Sequence, residues 1–302
     1  MERLKFNSFI KIFVVCFLSS FAANAQSGNK TLFNQDSLKL ISSQFKFTEG
    51  ASVDKNGDVF FTDQPNNTIW KYSIYGKLTL FTNKAGRANG TYFDKKGNLV
   101  ACADENFQIL SFDKNANSTL VYQNPKESNL NGPNDLWIDK KGGIYFTDPY
   151  YQRNYWTRKS PEIFGEKVYY LPKGEKQITI LEDSLQKPNG IVGTPDGKTL
   201  YVADAKGGKT YRYDIQANGS LKNRKLLINQ GSDGMTLDEQ GNIYLTGNGV
   251  TIFNKEGAQI AYINITTART SNVCFAGKKK NILFITSGNS IYTLPMLVKG
   301  VE

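Results

Sequence analysis

The feature that most limits how this chain can fold is a pattern that recurs six times along it. Each copy has a polar residue, usually followed by glycine, then a short apolar strand, an Asp-x-x-Gly or Pro-Asp-Gly turn and a second strand rich in Tyr, Phe, Val and Thr. Four short antiparallel strands in roughly 40 to 45 residues are typical of a β-propeller blade. The sequence therefore predicts an all-β fold, a six-bladed β-propeller. The copies begin 40, 45, 55, 44 and 39 residues apart, at Glu49, Asn89, Asn134, Asn189, Asp233 and, more weakly, Asn272.

The two ends of the repeat region predict how the ring closes. The sixth copy lacks a fourth strand, because the chain ends soon after the strand predicted over Ser290 to Pro295. The segment Ser37 to Ser42 precedes the first copy and can supply the missing strand. A ring closed by this N-terminal strand has no open edge. We therefore expect residues 26–302 to form a single propeller domain.

The first 25 residues are typical of an export signal. Arg3, Lys5 and Lys11 accompany an apolar stretch from Ile10 to Phe21, and the segment ends in Ala23-Asn24-Ala25. The apolar stretch is too short for a membrane-spanning helix. We expect cleavage after Ala25 and a periplasmic or secreted protein that is not attached to a membrane.

The chain is basic, but its charge pattern does not indicate nucleic-acid binding. The 37 Lys and Arg residues exceed the 27 Asp and Glu residues, which gives a formal charge of +10. The lysines are scattered through turns, and the densest run, Lys278 to Lys280, lies where a hairpin turn is expected. A solvated turn is the better interpretation of that run. We expect no nucleic-acid partner and a monomer or weak dimer.

Missing and rare residue types exclude several chemistries. The sequence contains no histidine, so Ser-His-Asp and Cys-His catalysis, histidine bases and His-ligated zinc are excluded. Hydrolysis would have to use carboxylates, tyrosine, lysine or a metal held by oxygen ligands. Cys102 and Cys274 fall on non-adjacent repeats, so we expect two buried thiols rather than a disulfide.

The longest interval between repeats contains an aromatic insertion from Pro149 to Glu166. A loop of this size on one blade either partly covers a central site or packs on the surface without a functional role, and both interpretations stay open. Its aromatic residues are Tyr150, Tyr151, Tyr155, Trp156 and Phe164.

The residues that open the six copies are candidates for a shared site. In a propeller the innermost strands line the axis, so the residues at their starts meet at one end of the ring. Carboxylate and carboxamide oxygens at all six positions predict a site for a hard divalent cation, Ca²⁺ first and Mg²⁺ second. Zn²⁺ is a further alternative, but it has no preferred protein ligand here. The competing interpretation is that Asn, Asp and Gly open each strand because they suit turns.

A further set of segments occurs at the repeats: Phe47 to Gly50, Asn131 to Asp135, Tyr145 to Pro149, Lys187 to Gly190, Asp233-Gly234, and Asn272 to Phe275 with Leu283 to Thr286. With these segments the chain resembles the SMP-30/gluconolactonase/LRE family from about Phe45 to Gly300. The family includes sugar lactonases, regucalcin and the squid-type phosphotriesterase. The resemblance implies a six-bladed propeller with one catalytic divalent cation in its central channel. It also implies the metal ligands Glu49, Asn134, Asn189 and Asp233.

The resemblance also implies which residues contact the substrate. The family has an Arg-x-Asn segment at the start of the second blade, and Arg87-Ala88-Asn89 matches it. We expect Arg87 and Asn89 to bind substrate hydroxyls or the ring oxygen. The sequence departs from gluconolactonase-like relatives after Cys102, where Ala103-Asp104-Glu105 replaces Glu-His. Asp104 or Glu105 takes over that acidic contact or is a solvated loop charge, and Tyr150 is expected to border the pocket.

The predicted function is a metal-dependent lactonase that hydrolyses sugar-derived or related small lactones. A cation that polarises the lactone carbonyl favours attack by water, and Asp233 is the best candidate for the base, with Glu49 as the alternative. A phosphotriesterase-like hydrolase at the same site is the second hypothesis. Non-catalytic binding of sugar or calcium is the third, and a protein-interaction propeller is the fourth.

Overall fold

The computed structural model describes Met1, residues 31–124 and residues 129–301. The predicted export signal lies outside the described residues. From Thr31 onward the chain forms six four-stranded antiparallel sheets. Each sheet except the sixth is built from four consecutive strands, which confirms the predicted six-bladed β-propeller.

The strands follow one another with short connections. The first strand is β1 (Lys39–Ser42), which follows a 3-10 turn at Gln35–Ser37. A second 3-10 turn, Gln64–Asn66, lies within blade one. Blade one contains β2 (Thr48–Val53), β3 (Val59–Asp63), β4 (Thr68–Tyr72) and β5 (Leu78–Thr82). Blade two contains β6 (Ala88–Phe93), β7 (Leu99–Ala103), β8 (Gln108–Phe112) and β9 (Ser118–Gln123). Blade three contains β10 (Leu136–Ile138), β11 (Ile144–Asp148), β12 (Lys167–Leu171) and β13 (Thr179–Glu182). Blade four contains β14 (Pro188–Gly193), β15 (Thr199–Asp204), β16 (Lys209–Ile215) and β17 (Leu221–Ile228). Blade five contains β18 (Met235–Leu237), β19 (Ile243–Gly247), β20 (Gly249–Phe253) and β21 (Gln259–Ile263). Blade six contains β22 (Thr270–Ala276), β23 (Ile282–Ser287) and β24 (Ser290–Pro295).

The Asp-x-x-Gly segments form the turns between the first two strands of a blade. In blade one, an Asp54 carboxylate oxygen accepts hydrogen bonds from the N–H groups of Asn56 and Asp58. Gly57 has a φ of +89°, which glycine adopts without a steric cost. The same two-bond pattern recurs at Asp94 and Asp139. These local hydrogen bonds explain why the repeat can be recognised in the sequence.

The ring closes as predicted. β1 pairs antiparallel with β24, with Lys39 opposite Thr293, and so completes the sixth sheet. The segment before the first repeat therefore supplies the outermost strand of the last blade.

Apolar side chains fill the spaces between the blades. Tyr145, Phe146, Phe61 and Phe284 are fully buried. Cys102 on β7 and Cys274 on β22 are buried thiols in different blades, as predicted. Over the residues that the structure describes, no helix is long and apolar enough to cross a membrane.

Candidate functional site

The starts of the innermost strands meet at one end of the propeller. These strands, β2, β6, β10, β14, β18 and β22, contact each other in sequence order, and β22 contacts β2. The approach between neighbours is close, because a Cβ atom added to Gly50 would lie 1.9 Å from the backbone oxygen of Asn89. The Gly90 N–H donates a 2.7 Å hydrogen bond to the backbone oxygen of Asn134. The glycine after the opening position therefore lets adjacent blades touch at Gly50 and Gly90.

Threonine hydroxyls define which residues occupy equivalent places in the ring. Thr62 Oγ1 donates to the backbone oxygen of Asn89 at 3.0 Å. Thr147 Oγ1 donates to that of Asn189 at 2.8 Å. Thr246 Oγ1 donates the corresponding hydrogen bond to the backbone oxygen of Ser271 at 3.1 Å. The sixth ring residue is therefore Ser271, and the prediction of Asn272 is wrong by one residue.

The side chains at the sixth blade explain this correction. Asn272 Oδ1 accepts a 2.8 Å hydrogen bond from the N–H of Val273, the next residue along its own strand. Ser271 Oγ donates to the backbone oxygen of Thr48 at 2.6 Å. The sixth position therefore ties the last blade to the first, and its hydroxyl group is occupied by that bond.

Two carboxylates, Glu49 and Asp233, stand in this ring. Glu49 is 3% exposed, and Asp233 is partly exposed. Burial raises the pKa of Glu49 well above its ordinary value, and the charges of Asp233 and Asp135 raise it further. Burial also raises the pKa of Asp233 to about 6, although Arg269, Asn189 and Arg153 act in the opposite direction. The ring thus holds two acidic groups whose charges are poorly compensated by the protein.

The carboxamide residues Asn134 and Asn189 occupy two further positions of the ring, and both residues are nearly fully buried. Asn189 Nδ2 donates to Asp233 Oδ1 at 2.7 Å and to the Tyr151 hydroxyl oxygen at 3.2 Å. The four residues that the family resemblance implies as metal ligands are therefore equivalent positions of one ring.

The donor set fits a hard divalent cation. The charge of Asp233 raises the pKa of Glu49, so a cation between these two carboxylates would relieve their repulsion, and carboxamide oxygens add dipoles without adding charge. Among the described residues, no group of three or more His, Cys, Asp or Glu side chains is placed to hold a metal ion. A cation in this ring would therefore depend on the two carboxamides for half of its protein ligands.

The aromatic insertion of blade three contacts blade two through Asp104. Arg153 Nε donates a hydrogen bond to Asp104 Oδ2 at 2.8 Å, and the Tyr155 hydroxyl group donates one to Asp104 Oδ1. Trp156 Nε1 donates to the Asp104 backbone oxygen at 2.8 Å. Asp104 is 1% exposed, so the interpretation of a solvated loop charge is wrong for this residue. The insertion therefore lies beside the end of the ring that carries the candidate site.

The predicted substrate residues have different surroundings. Asn89 is 3% exposed and is the ring residue of blade two. Arg87 Nη1 donates to the Pro65 backbone oxygen at 2.8 Å, and its guanidinium lies 4.2 Å from the centre of the Tyr155 ring. Arg87 thus faces the insertion, and its contact with substrate stays a prediction.

Sequence reasoning missed Arg153 as a functional residue. Its positive charge lowers the pKa of both Glu49 and Asp233, which places it near the candidate site. It lies in the insertion, which has no counterpart in the other repeats, so no equivalent position drew attention to it. Its place beside an aromatic run was the only available signal.

The fold and the site together define a six-bladed β-propeller with a single oxygen-rich site where its innermost strands begin. The chain belongs to the SMP-30/Gluconolactonase/LRE-like family, whose model matches residues 47–289.

Named relatives and solved structures agree with this assignment. The chain is 26% identical over 283 residues to a gluconolactonase of Zymomonas mobilis, covering 84% of this chain and 80% of that protein. It is 26% identical over 269 residues to the diisopropyl-fluorophosphatase of Loligo vulgaris, and the match covers 79% of this chain and 84% of that protein. The solved structure of a gluconolactonase from Xanthomonas campestris superposes with a TM-score of 0.79 at 25% identity, and the match covers 86% of this chain and 89% of that one.

Proposed function

We propose that this protein is a metal-dependent lactonase that hydrolyses sugar-derived or related small lactones to hydroxy acids. The observation that carries the proposal is the ring of Glu49, Asn134, Asn189 and Asp233, two carboxylates and two carboxamides at equivalent positions. The names of similar proteins support lactone hydrolysis as the reaction class.

Glu49, Asn134, Asn189 and Asp233 would hold one divalent cation, with Ca²⁺ preferred over Mg²⁺ and Zn²⁺. When bound, such a cation supplies a Lewis acid that polarises the lactone carbonyl. The two carboxylates balance its charge, so the site as a whole is close to neutral. Arg87 and Asn89 would orient the sugar portion of the substrate.

Asp233 is the proposed general base. Its carboxylate takes a proton from the attacking water, whose oxygen forms a bond to the carbonyl carbon. The acyl carbon–oxygen bond of the ring then breaks, and the ring oxygen takes the proton held by Asp233 to become a hydroxyl group, which restores the carboxylate. The new carboxylic acid ionises at neutral pH and releases one proton to solvent. Asn189 Nδ2, 2.7 Å from Asp233 Oδ1, orients this base. Glu49 is the alternative base.

A phosphotriesterase-like hydrolase is the second candidate. The similarity to the Loligo vulgaris diisopropyl-fluorophosphatase favours it specifically, over 79% of this chain. A site that polarises a C=O group can polarise a P=O group by the same electrostatic means. The same four ring residues would serve either reaction.

We also propose that the protein works outside the cytoplasm as a monomer or weak dimer, with a small lactone as its partner and neither nucleic acid nor membrane. The pattern of the first 25 residues supports export.

The decisive experiment is pH-stat measurement of acid release from aldonolactones and simple γ- and δ-lactones, with and without a chelator. We expect a rate above spontaneous hydrolysis that disappears with the chelator and returns with Ca²⁺. An organophosphate triester is assayed in parallel. No excess rate on any lactone, with turnover of the triester, would replace the lactonase with the second candidate.

A further inference from the structure

A cavity of about 500 Å³ lies between the insertion and the connections of blades one and two. Three cationic side chains line it: Lys46, Arg87 and Arg153. The other polar side chains in its lining include the amides of Gln64 and Gln152. Among the described residues, no carboxylate lines this cavity, so its wall is cationic.

The cations in this wall are only partly neutralised. Lys46 is exposed, and it takes part in none of the ion pairs between described residues. Arg87 Nε is 3.8 Å from Glu105 Oε1, which is too long for a direct hydrogen bond. Arg153 pairs closely with Asp104, but through Nε, at 2.8 Å. A positive charge therefore remains at the cavity surface.

The cavity adjoins the candidate metal site through two insertion residues. The Arg153 guanidinium lies 5.7 Å from the centre of the Tyr151 ring. The Tyr151 hydroxyl accepts a 3.2 Å hydrogen bond from Asn189 Nδ2 at the ring. Two successive side-chain contacts, Arg153 to Tyr151 and Tyr151 to Asn189, therefore connect the cavity wall to the ring.

We propose that this cavity binds an anionic group of the substrate, so that the preferred lactones carry a carboxylate or a phosphate at the end away from the lactone carbonyl. The inference rests on the proposed lactonase function, because it places the carbonyl at the Glu49–Asp233 site. Guanidinium groups bind carboxylate and phosphate oxygens through paired N–H donors, and Lys46 adds a mobile point charge. The amides of Gln64 and Gln152 can bind hydroxyl groups of the same ligand, but the three cations favour an anionic group over an uncharged one.

The first test measures binding without turnover. Calorimetric titration of the Ca²⁺-loaded protein compares sorbitol 6-phosphate with sorbitol, which has the same carbon chain without the charge. We expect sorbitol 6-phosphate to bind at least about tenfold more tightly at low ionic strength, and the difference to shrink in 0.5 M NaCl. Equal affinity of the two compounds would overturn the proposal.

A matched pair of variants separates this cavity from the metal site, since phosphate also binds Ca²⁺ directly. Lys46→Gln removes one cavity charge, and Lys55→Gln removes one charge from the turn at the opposite end of blade one. We expect Lys46→Gln to weaken sorbitol 6-phosphate binding about threefold to fivefold and Lys55→Gln to leave it unchanged. Equal effects of the two substitutions would contradict the assignment of the cavity.

The second test measures kcat/KM and identifies the anion. D-Glucono-δ-lactone is uncharged, D-glucaro-1,4-lactone carries a carboxylate, and 6-phosphoglucono-δ-lactone carries a phosphate. We expect at least one charged lactone to be hydrolysed about tenfold more efficiently than the uncharged one. Hydrolysis of all three with no preference would overturn this inference and leave the lactonase function standing. Hydrolysis of none, with sorbitol 6-phosphate still bound, would overturn the proposed lactonase function and leave only the binding of an anion in the cavity standing.

Discussion

Asp104 Oδ2 accepts a 2.8 Å hydrogen bond from Arg153 Nε, and this ion pair joins the insertion of blade three to the second strand of blade two. The aspartates at the same strand end in three other blades have a different role. They accept hydrogen bonds from backbone N–H groups of the loop that leads to their own ring residue; these aspartates are Asp63, Asp148 and Asp204. Asp104 therefore holds the insertion in place where its counterparts shape a loop.

Loss of the Asp104 charge should loosen the insertion. Asp104→Asn leaves Arg153 without its anionic partner and should lower the free energy of local opening by about 2 kcal/mol. Hydrogen exchange across residues 149–166 should become faster, and KM should rise more than kcat falls. Glu105→Gln is the matched control, because Glu105 lies next in sequence and does not hydrogen-bond the insertion. Unchanged exchange in Asp104→Asn would show that the other contacts of the insertion, such as those of Arg158 and Lys187, are enough to hold it.

Replacement of the proposed base should abolish turnover and preserve the fold. Asp233→Asn keeps the size of the side chain but cannot take a proton from water, so kcat should fall at least about 100-fold. The melting temperature without metal should not fall, because the substitution removes one of the two repelling carboxylate charges of the ring. Glu49→Gln, assayed in parallel, tests the alternative base. If Asp233→Asn keeps activity within tenfold of the wild type, Asp233 is not the base.

Stabilisation by a cation should depend on pH. The pKa of Asp233 is raised to about 6, and that of Glu49 is also raised, so folding favours their protonated forms. Without a cation, this pair therefore destabilises the folded protein as pH rises through about 6. Bound Ca²⁺ relieves the repulsion, whereas protons compete with Ca²⁺ at lower pH.

The corresponding measurement is the difference in Tm between excess Ca²⁺ and excess chelator. We expect this difference to be several degrees at pH 7.5 and clearly smaller at pH 5.5. Effects of pH on other groups largely cancel, because the same pH is used for both members of each pair. Asp233→Asn should flatten the dependence. An identical difference at both pH values would mean that these two carboxylates do not bind the cation.

Close contact between blades one and two should make Gly50 intolerant of a side chain. Gly50 has a φ of +53°, and an added Cβ would lie 1.9 Å from the Asn89 backbone oxygen. Gly197 has a φ of +73° but has nothing within 4 Å of an added Cβ. Gly197→Ala should therefore cost only about 1 kcal/mol of unfolding free energy, the price of the left-handed conformation.

Gly50→Ala has the same conformational cost and adds a clash between the new methyl group and the Asn89 backbone oxygen. It should lower the free energy of unfolding by more than about 3 kcal/mol, as judged by urea unfolding. It should also displace Asn89 and reduce activity in whatever fraction folds. Equal stability losses in the two variants would mean that the blades separate easily at this point.

Local chemistry made most of the fold predictable from the sequence. The Asp-x-x-Gly turns depend on hydrogen bonds between residues two and four positions apart, such as those that Asp54 accepts. The turn motif of each blade can therefore be recognised in the sequence at a regular interval. Closure by the segment before the first repeat followed from the missing fourth strand at the end. The ring residues of the first five blades followed from the same register, because a glycine or aspartate marks the next position.

The sixth blade and the insertion required the tertiary structure. Ser271 and Asn272 are adjacent polar residues with no following glycine, so the sequence did not distinguish between them. The choice depends on the hydrogen bond from Thr246, 25 residues away on the neighbouring blade.

The contact between Asp104 and Arg153 spans 49 residues and belongs to no repeat. The sequence by itself determined the repeating architecture and the oxygen-rich character of the ring, because both follow from short-range patterns. The tertiary structure decided the register of the last blade and the cationic cavity beside the ring, because both depend on contacts between blades that no local spacing encodes.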